Sequence, residues 1–235
     1  MIEVKNISKT YGKKKTEFQA LKDIDFKIKN GASVAIIGKS GSGKSTLMHA
    51  MSGLDRPQVG KILVDGINIL DLKPKQVDRF RSDKIGFIFQ SFFVQANESC
   101  FDNVSLPLEI AKVPRSKRKK MVQDALKEVG LSDKMKSRAR DLSGGQKQRL
   151  AVARAIVTQP SILFADEPTG NLDSVTGSKI EDLLFSYNKK RKTTLIIVTH
   201  DPELAAKCSI RIFVKDGAIE KIEEETTKSK KRLQL

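Results

Sequence analysis

The sequence predicts an α/β protein built on a mostly parallel sheet, with an N-terminal antiparallel β subdomain and an inserted helical subdomain. Three observations lead there. The apolar run at 34–37 feeds a glycine-rich loop and then a helical segment. Short, continuously apolar runs at 162–165 and 195–198 suit parallel strands buried on both faces. Between residues 91 and 159 the β-branched runs give way to helical periodicity.

Taken in order, residues 2–7 and 24–28 read as strands on either side of a lysine-rich turn around Gly12, and Asn30-Gly31 reads as the next turn. Ser33–Ile37 is expected to be a buried strand, followed after the glycine-rich loop by a helix at 46–52 closed by Gly53. Beyond Pro57, residues 61–64 and 67–70 form a strand pair around Asp65-Gly66, a helix covers 74–82, and a strand at 85–89 ends on Gln90. Val122, Ala125, Leu126 and Val129 then fall at i, i+3, i+4 and i+7 with lysines opposite, which predicts an amphipathic helix ending at Gly130. Residues 150–157 form an alanine-rich helix that packs closely before Pro160 stops it. A crossover helix at 177–187, a short helix at 201–207 and a strand at 210–214 follow, and Asp216-Gly217 turns the chain into a last strand at 218–222. The expected organisation is one domain, with a core from 1–90 and 160–222, a helical subdomain at 91–159 and a charged, mobile tail at 223–235.

A chain of 235 residues can bury a sizeable core without staples. Cys100 and Cys208 have no metal-ligand spacing and read as reduced thiols of a cytosolic protein. The N-terminus lacks a signal pattern and no apolar run approaches the roughly 20 residues that span a bilayer, so the chain is expected to be neither secreted nor membrane-spanning. The net charge of +16 asks for an acidic partner. Its densest runs, at 13–15, 115–120, 189–192 and 228–232, are scattered and carry few aromatics. An anionic membrane surface therefore fits better than base-stacking nucleic acid recognition, and solvated lysines fit equally well.

Gly38-Lys39-Ser40-Gly41-Ser42-Gly43-Lys44-Ser45-Thr46 matches the P-loop pattern in full, so the α/β core is expected to be that of a P-loop NTPase. Gly38, Ser40, Gly41 and Gly43 supply backbone that curls around a polyphosphate, and the helix that starts near Thr46 adds its positive end. Lys44 is expected to reach the β and γ phosphates, and Ser45 to ligate Mg²⁺. Two further strands end on useful groups, Asp166-Glu167 and Thr199-His200, and in an open parallel sheet such ends converge on one crevice. Asp166 is then the acidic partner of Ser45 at Mg²⁺, Glu167 the general base for a water attacking the γ phosphate, and His200 a donor to that phosphate. His49 is expected to be structural. Leu142-Ser143-Gly144-Gly145-Gln146 precedes a helix and makes a second anion-binding helix start, although Ser143 alone would be an ordinary N-cap.

That last pentapeptide resembles the signature of the ATP-binding cassette family, and the resemblance extends over nearly the whole chain. Gln90 matches the Q-loop, residues 162–167 Walker B, Gly170-Asn171-Leu172-Asp173 the D-loop and His200 the switch histidine. The resemblance implies that Tyr11 stacks on adenine and that Gln90 touches Mg²⁺ or the attacking water. It also implies that two copies pair head to tail, so that Ser143, Gly144, Gly145 and Gln146 of one copy cover the ATP held by the other, with Asp173 crossing the interface. Ser52-Gly53-Leu54-Asp55-Arg56-Pro57 and Asn103-Val104-Ser105-Leu106-Pro107-Leu108 resemble the macrolide-export, lipoprotein-release and antimicrobial-peptide-resistance type. The sequence departs from the family at Ala32, where an acidic residue is usual, at Ser137-Arg138-Ala139-Arg140, where a proline is common, and at 91–100, the segment that helps to dock the membrane partner in relatives. Phe92, Phe93 and Val94, with Glu98 at the rim, are expected either to line a docking groove or to fill the helical core.

The expected function is that of the ATPase subunit of a membrane complex. A homodimer closes on ATP and Mg²⁺ and drives a separate transmembrane permease subunit at the cytoplasmic face of the cell membrane, for export, extraction or antimicrobial-peptide resistance. The alternative is an ATP-dependent regulator of a membrane partner in cell-wall hydrolysis or sensing, without transport. Nucleic-acid processing is disfavoured, because family members of that kind usually carry coiled-coil insertions or a second cassette.

Overall fold

Alternating apolar residues at the N-terminus build the first layer. In the computed structural model, which describes residues 1–13 and 16–224, β1 (Ile2–Tyr11) and β2 (Phe18–Ile28) pair antiparallel. They bury Ile2, Val4, Ile7, Leu21, Ile24 and Ile28 on one face. The chain then enters β3 (Ser33–Ile37), the glycine-rich loop and α1 (Lys44–Met51). It returns through β4 (Val59–Val64) and β5 (Ile67–Asn68) to complete a four-stranded antiparallel sheet ordered β2-β1-β4-β5.

After α2 (Pro74–Lys84) and β6 (Ile85–Phe89), three helices form the inserted segment: α3 (Cys100–Ile110), α4 (Arg115–Glu128) and α5 (Gly144–Ile156). The chain closes with β7 (Ile162–Asp166), α6 (Ser174–Arg191), β8 (Thr194–Thr199), α7 (Pro202–Ala206), β9 (Ile210–Lys215) and β10 (Ala218–Glu224). The second sheet has the order β10-β9-β3-β8-β7-β6 and is parallel except for the β9–β10 hairpin.

The parallel strands are apolar on both faces because each face has its own core, as continuous apolar runs require. Val34, Ile36, Phe164, Ile196 and Val198 pack with Leu47, Met48 and Ile62, toward α1 and the antiparallel sheet. Ala35, Leu163, Ala165, Leu195 and Ile197 pack with Val104, Leu126, Leu150 and Leu184, toward the helices. The sheet thus lies between the two other layers, and its strand ends are held from both sides.

Several element bounds differ from expectation, each for a local reason. The first strands are longer, because β1 continues to Tyr11 and pairs there with Phe18. The helix expected at 46–52 starts two residues earlier, with Gly43 in a left-handed conformation at its N-cap (φ 103°), so Lys44 and Ser45 sit in its first turn. The strand expected at 67–70 stops at Asn68, whose Oδ1 accepts from Leu70 N and turns the chain into a 3₁₀ segment. The helix expected at 150–157 begins at Gly144 and ends at Ile156, and the one at 177–187 extends over Ser174–Arg191 because Asp173 caps it. Glu223 and Glu224, assigned to a mobile tail, complete β10, and Glu223 accepts from Arg211 Nε at 3.1 Å. The rest of that tail, 225–235, and Lys14 and Lys15 of the first lysine run lie outside the described residues.

Candidate active site

The glycine-rich loop can take its shape only with glycine at fixed places. A Cβ on Gly43 would sit 2.6 Å from the Ala20 carbonyl, and one on Gly38 would sit 2.2 Å from the Val214 carbonyl. Gly41, also left-handed at φ 77°, has no atom within 4 Å of its Cβ position, so the loop stays open there. Lys44 is 8% exposed, and its Nζ donates to the Lys39 carbonyl at 2.8 Å. Ser40, Gly41, Gly43, Lys44, Ser45 and Thr46 line one side of a cleft of about 280 Å³. Asp166, Glu167, Val198 and His200 line the other, so the ends of β7 and β8 meet the loop after β3 as the order of the sheet requires.

The electrostatics of this cleft favour a cation next to anionic oxygen. Burial pushes the Asp166 carboxyl above its usual range and the neighbouring Glu167 charge pushes it further, while His49, Lys44 and a hydrogen bond from Ser45 act the other way. A carboxylate that shares the cleft with a serine hydroxyl at a helix start fits the donor set of Mg²⁺, which takes a few protein oxygens and completes its shell with phosphate and water. Ser42 Oγ is buried without a hydrogen-bond partner among the described residues, an orphan inside the glycine-rich loop. Glu167 stands at left-handed φ 45°, with its N–H donating to the Val198 carbonyl at 2.9 Å and its carboxylate Oε2 lying 2.8 Å from His200 Nδ1. The two reactive side chains at the ends of β7 and β8 are therefore in direct contact.

Tyr11 and Gln90 stand at the margins. Tyr11, 40% exposed at the end of β1, donates its hydroxyl to Asp55. Gln90 does not line the cleft. Its Nε2 lies 2.9 Å from where a Gly170 Cβ would be, with Glu167 Oε2 at 3.4 Å from the same point, so Gly170 lets the two side chains approach each other. Asn171 Nδ2 donates to the Gln90 carbonyl at 2.9 Å, linking the segments that follow β6 and β7.

Ser143, Gly144, Gly145 and Gln146 do not join these residues. They line a separate cleft of about 440 Å³ with Asn171 and Asp173. Ser143 caps α5: its Oγ accepts from Gln146 N at 3.3 Å while Gln146 Oε1 accepts from Ser143 N at 2.9 Å. Asp173 likewise caps α6, accepting from Thr176 N at 2.9 Å. The capping reading of Ser143 holds, and both side chains remain on the surface of the second cleft.

Three linking residues were not singled out from the sequence. Gln148, fully buried on α5, donates to the Pro168 carbonyl just beyond Glu167. Arg154 on the same helix donates to the carbonyls of Phe92 at 3.0 Å and Phe93 at 2.6 Å, and burial lowers the pKa of its guanidinium. Asp55 binds Lys9 and Tyr11. The available signal was polarity in apolar surroundings, since Gln148 and Arg154 interrupt an alanine-rich helical face. The segment after Gln90 divides between the two expectations for it: Val94 packs on the helical core, whereas Phe93 is 64% exposed and meets the edge of Phe89. Phe89 in turn lines an apolar groove of about 610 Å³ with Phe87, Leu54, Leu106, Pro107 and Ile110. Among the described residues no helix is long and apolar enough to cross a membrane.

Comparison with known proteins agrees with this geometry. The family model described as ABC transporter matches residues 21–170. The chain is 42% identical over 219 residues to the lipoprotein-releasing system ATP-binding protein LolD of Syntrophus aciditrophicus, covering 93% of this chain and 98% of that protein. It is 41% identical over 219 residues to the bacitracin export ATP-binding protein BceA of Halalkalibacterium halodurans, covering 93% of this chain and 87% of that one. The fold superposes on the dimeric structure of MJ0796, described as a bacterial ABC transporter cassette, with a TM-score of 0.87 at 39% identity over 95% of this chain and 98% of that one. A second structure of the same cassette, in a post-hydrolysis state with ADP and Pi, matches with a TM-score of 0.87 at 38% identity, covering 95% of this chain and 98% of that one. The P-loop NTPase fold and these relatives agree: this chain belongs to the ABC transporter family, as one of its ATPases.

Proposed function

We propose that this protein is the ATP-hydrolysing subunit of a membrane complex of the LolD and BceA kind, and that it works as a homodimer with two shared sites. The observation that carries the reading is that the P-loop residues, Asp166, Glu167 and His200 line one cleft, while Ser143–Gln146 line another on the same chain. A dimer in which each copy offers its second cleft to the other's first completes both sites. The MJ0796 cassette that this chain matches is described as dimeric, which supports a dimer here.

In this reading the loop backbone and Lys44 hold the β and γ phosphates, with Lys44 exchanging the Lys39 carbonyl for phosphate oxygen. Ser45 and Asp166 would hold Mg²⁺, and Gln90 lies close enough to Glu167 to contact either the metal or the attacking water. Magnesium, when bound, would supply positive charge against the phosphates. Glu167 accepts the proton of the attacking water, and His200, in contact through Nδ1, fixes that carboxylate and keeps its other nitrogen for the γ phosphate. Tyr11 takes the adenine, and Asp173 faces the partner copy. The apolar groove containing Phe89, Leu106 and Ile110, extended by exposed Phe93, suits a short segment of a transmembrane permease subunit, with the ATPase working at the cytoplasmic face of the cell membrane.

Replacing Glu167 by Gln tests the reading. The variant is expected to bind ATP, to form dimers stable enough to resolve by size-exclusion chromatography, and to hydrolyse at least about 10²-fold more slowly. Wild-type turnover would remove Glu167 from the role of base, and a variant that stays monomeric at saturating ATP would count against the shared site.

A further inference from the structure

We infer that Asp55 and Lys9 are positioning residues for the nucleotide base, holding the Tyr11 ring in one orientation at the mouth of the cleft. The inference rests on the proposed reading of Tyr11 as the platform for adenine and extends it to the residues that set that platform.

An aromatic ring at the exposed end of a strand ordinarily turns freely about its side-chain bonds, and a base that stacks on it must first fix it. Here the ring is fixed on two sides. The Tyr11 hydroxyl donates to Asp55 Oδ2. Asp55 Oδ1 accepts from Lys9 Nζ at 2.6 Å, and the same ammonium lies 4.8 Å from the centroid of the Tyr11 ring. Lys9 is 8% exposed and donates also to the Arg56 carbonyl at 2.9 Å, so the charge beneath the ring is itself immobile.

The carboxylate is anchored to the phosphate-binding helix. Asp55 N donates to the His49 carbonyl of α1 at 3.1 Å, and Asp55 Oδ1 accepts from Arg56 N at 2.7 Å. Burial and the hydrogen bond to Asp55 both raise the Tyr11 hydroxyl above its usual pKa, which keeps it protonated and donating. One helix therefore carries the phosphate ligands at its start and, through Asp55, sets the ring that receives the base. With a cation against one side of the ring and the hydroxyl tied, the ring is prepared for a flat, electron-rich partner before one arrives.

The test compares MgATP with magnesium tripolyphosphate, which keeps the phosphates and lacks the base, by titration calorimetry on the full chain. Tyr11→Phe keeps the ring and frees it from Asp55; Asp55→Ala removes the tie itself, and Tyr11→Ala removes the platform. Tyr11→Phe and Asp55→Ala should each weaken MgATP binding about three- to tenfold, leave tripolyphosphate binding unchanged, and combine to no more than the larger single effect. In steady-state hydrolysis both should raise KM with little change in kcat.

If Tyr11→Ala leaves MgATP affinity unchanged, the ring is not the platform and the underlying reading of Tyr11 fails. If Tyr11→Ala weakens MgATP while Tyr11→Phe and Asp55→Ala do not, the platform stands and the positioning inference is overturned. Equal losses for MgATP and tripolyphosphate in Asp55→Ala would overturn it too, since they would mark a purely structural role. Asp55→Ala leaves Lys9 without its carboxylate and could cost the fold, in which case the Tyr11→Phe comparison decides alone.

Discussion

Gly86 is the place where one methyl group should separate nucleotide binding from turnover. It lies in β6 opposite Leu163, and a Cβ added there would sit 2.3 Å from the Ala155 carbonyl oxygen and 2.9 Å from Leu163 Cδ1. The first of these atoms is helix backbone and cannot rotate aside. Restoring ordinary contact requires α5 to move from the sheet by about 1 Å. Overpacking of this kind costs about 1–3 kcal/mol, or several degrees in Tm for a chain of this size. The displaced helix carries Ser143–Gln146 at its start, and its Arg154 holds the Phe92 and Phe93 carbonyls. In the proposed dimer these groups meet a phosphate held by the other copy, and an error of about 1 Å there can lower turnover by up to about 10²-fold. MgATP binding to the P-loop cleft, to which Gly86 contributes nothing, should change less than about twofold. Gly86→Ala should therefore unfold earlier by calorimetry, bind MgATP normally and hydrolyse it poorly. Unchanged stability and turnover would refute the close contact, and parallel losses of binding and turnover would refute the separation of the two clefts.

Lys44→Ala should weaken MgATP binding by at least about tenfold while leaving the fold intact, checked by calorimetry and circular dichroism, since Lys44 makes its hydrogen bond to the loop itself. Arg154→Met keeps much of the side-chain volume but leaves the Phe92 and Phe93 carbonyls without their donor; both residues are bulky and left-handed, at φ 54° and 47°, so this turn should rearrange. The expected result is a loss of about 1–3 kcal/mol in denaturant unfolding, together with faster amide exchange confined to the segment after Gln90. Burial pushes the Cys208 thiol up to about 12 and raises that of Cys100 as well. For Cys208 the thiolate at pH 8 is then about one part in 10⁴, so native protein should react with a thiol reagent orders of magnitude more slowly than unfolded protein, and faster as pH rises. Rapid native labelling of either cysteine would show that its burial is not maintained in solution.

The grouping of residues in the cleft was legible because each of them lies at or just beyond the end of a strand. Apolar runs at β3, β7 and β8 announce parallel strands, and whatever follows such strands arrives at one edge of the sheet, so Lys44, Asp166, Glu167 and His200 could be brought together without coordinates. Contacts between elements distant in sequence were not legible. Nothing in the spacing of Gln148 and Pro168, Arg154 and Phe93, or Asp55 and Tyr11 says that they touch. Element ends were also hidden where side chains decide them. Gly43 in a left-handed conformation starts α1 earlier than hydrophobic periodicity suggests, and Asn68 ends β5 by accepting from Leu70 N.

The capping of α5 bears on how the proposed dimer could close and still reopen. A helix start presents a small set of backbone N–H groups without acceptors inside the helix. The reciprocal bonds between Ser143 and Gln146 satisfy the N–H of each of these residues from within the chain. That leaves the N–H groups of Gly144 and Gly145, and the Ser143 hydroxyl proton, for a phosphate presented from outside. No Cβ obstructs the approach at Gly144, whose Cβ position has nothing within 4 Å. The cap also keeps the helix start ordered when it faces no partner, so closing costs little rearrangement on this side. The donors left at the helix start itself are few and neutral, while the cations that line this cleft, Arg149 and Lys179, stand on later turns of α5 and α6. The P-loop, with Lys44 and α1, can afford tight binding within one subunit because it need not let go for the dimer to open, whereas the start of α5 must.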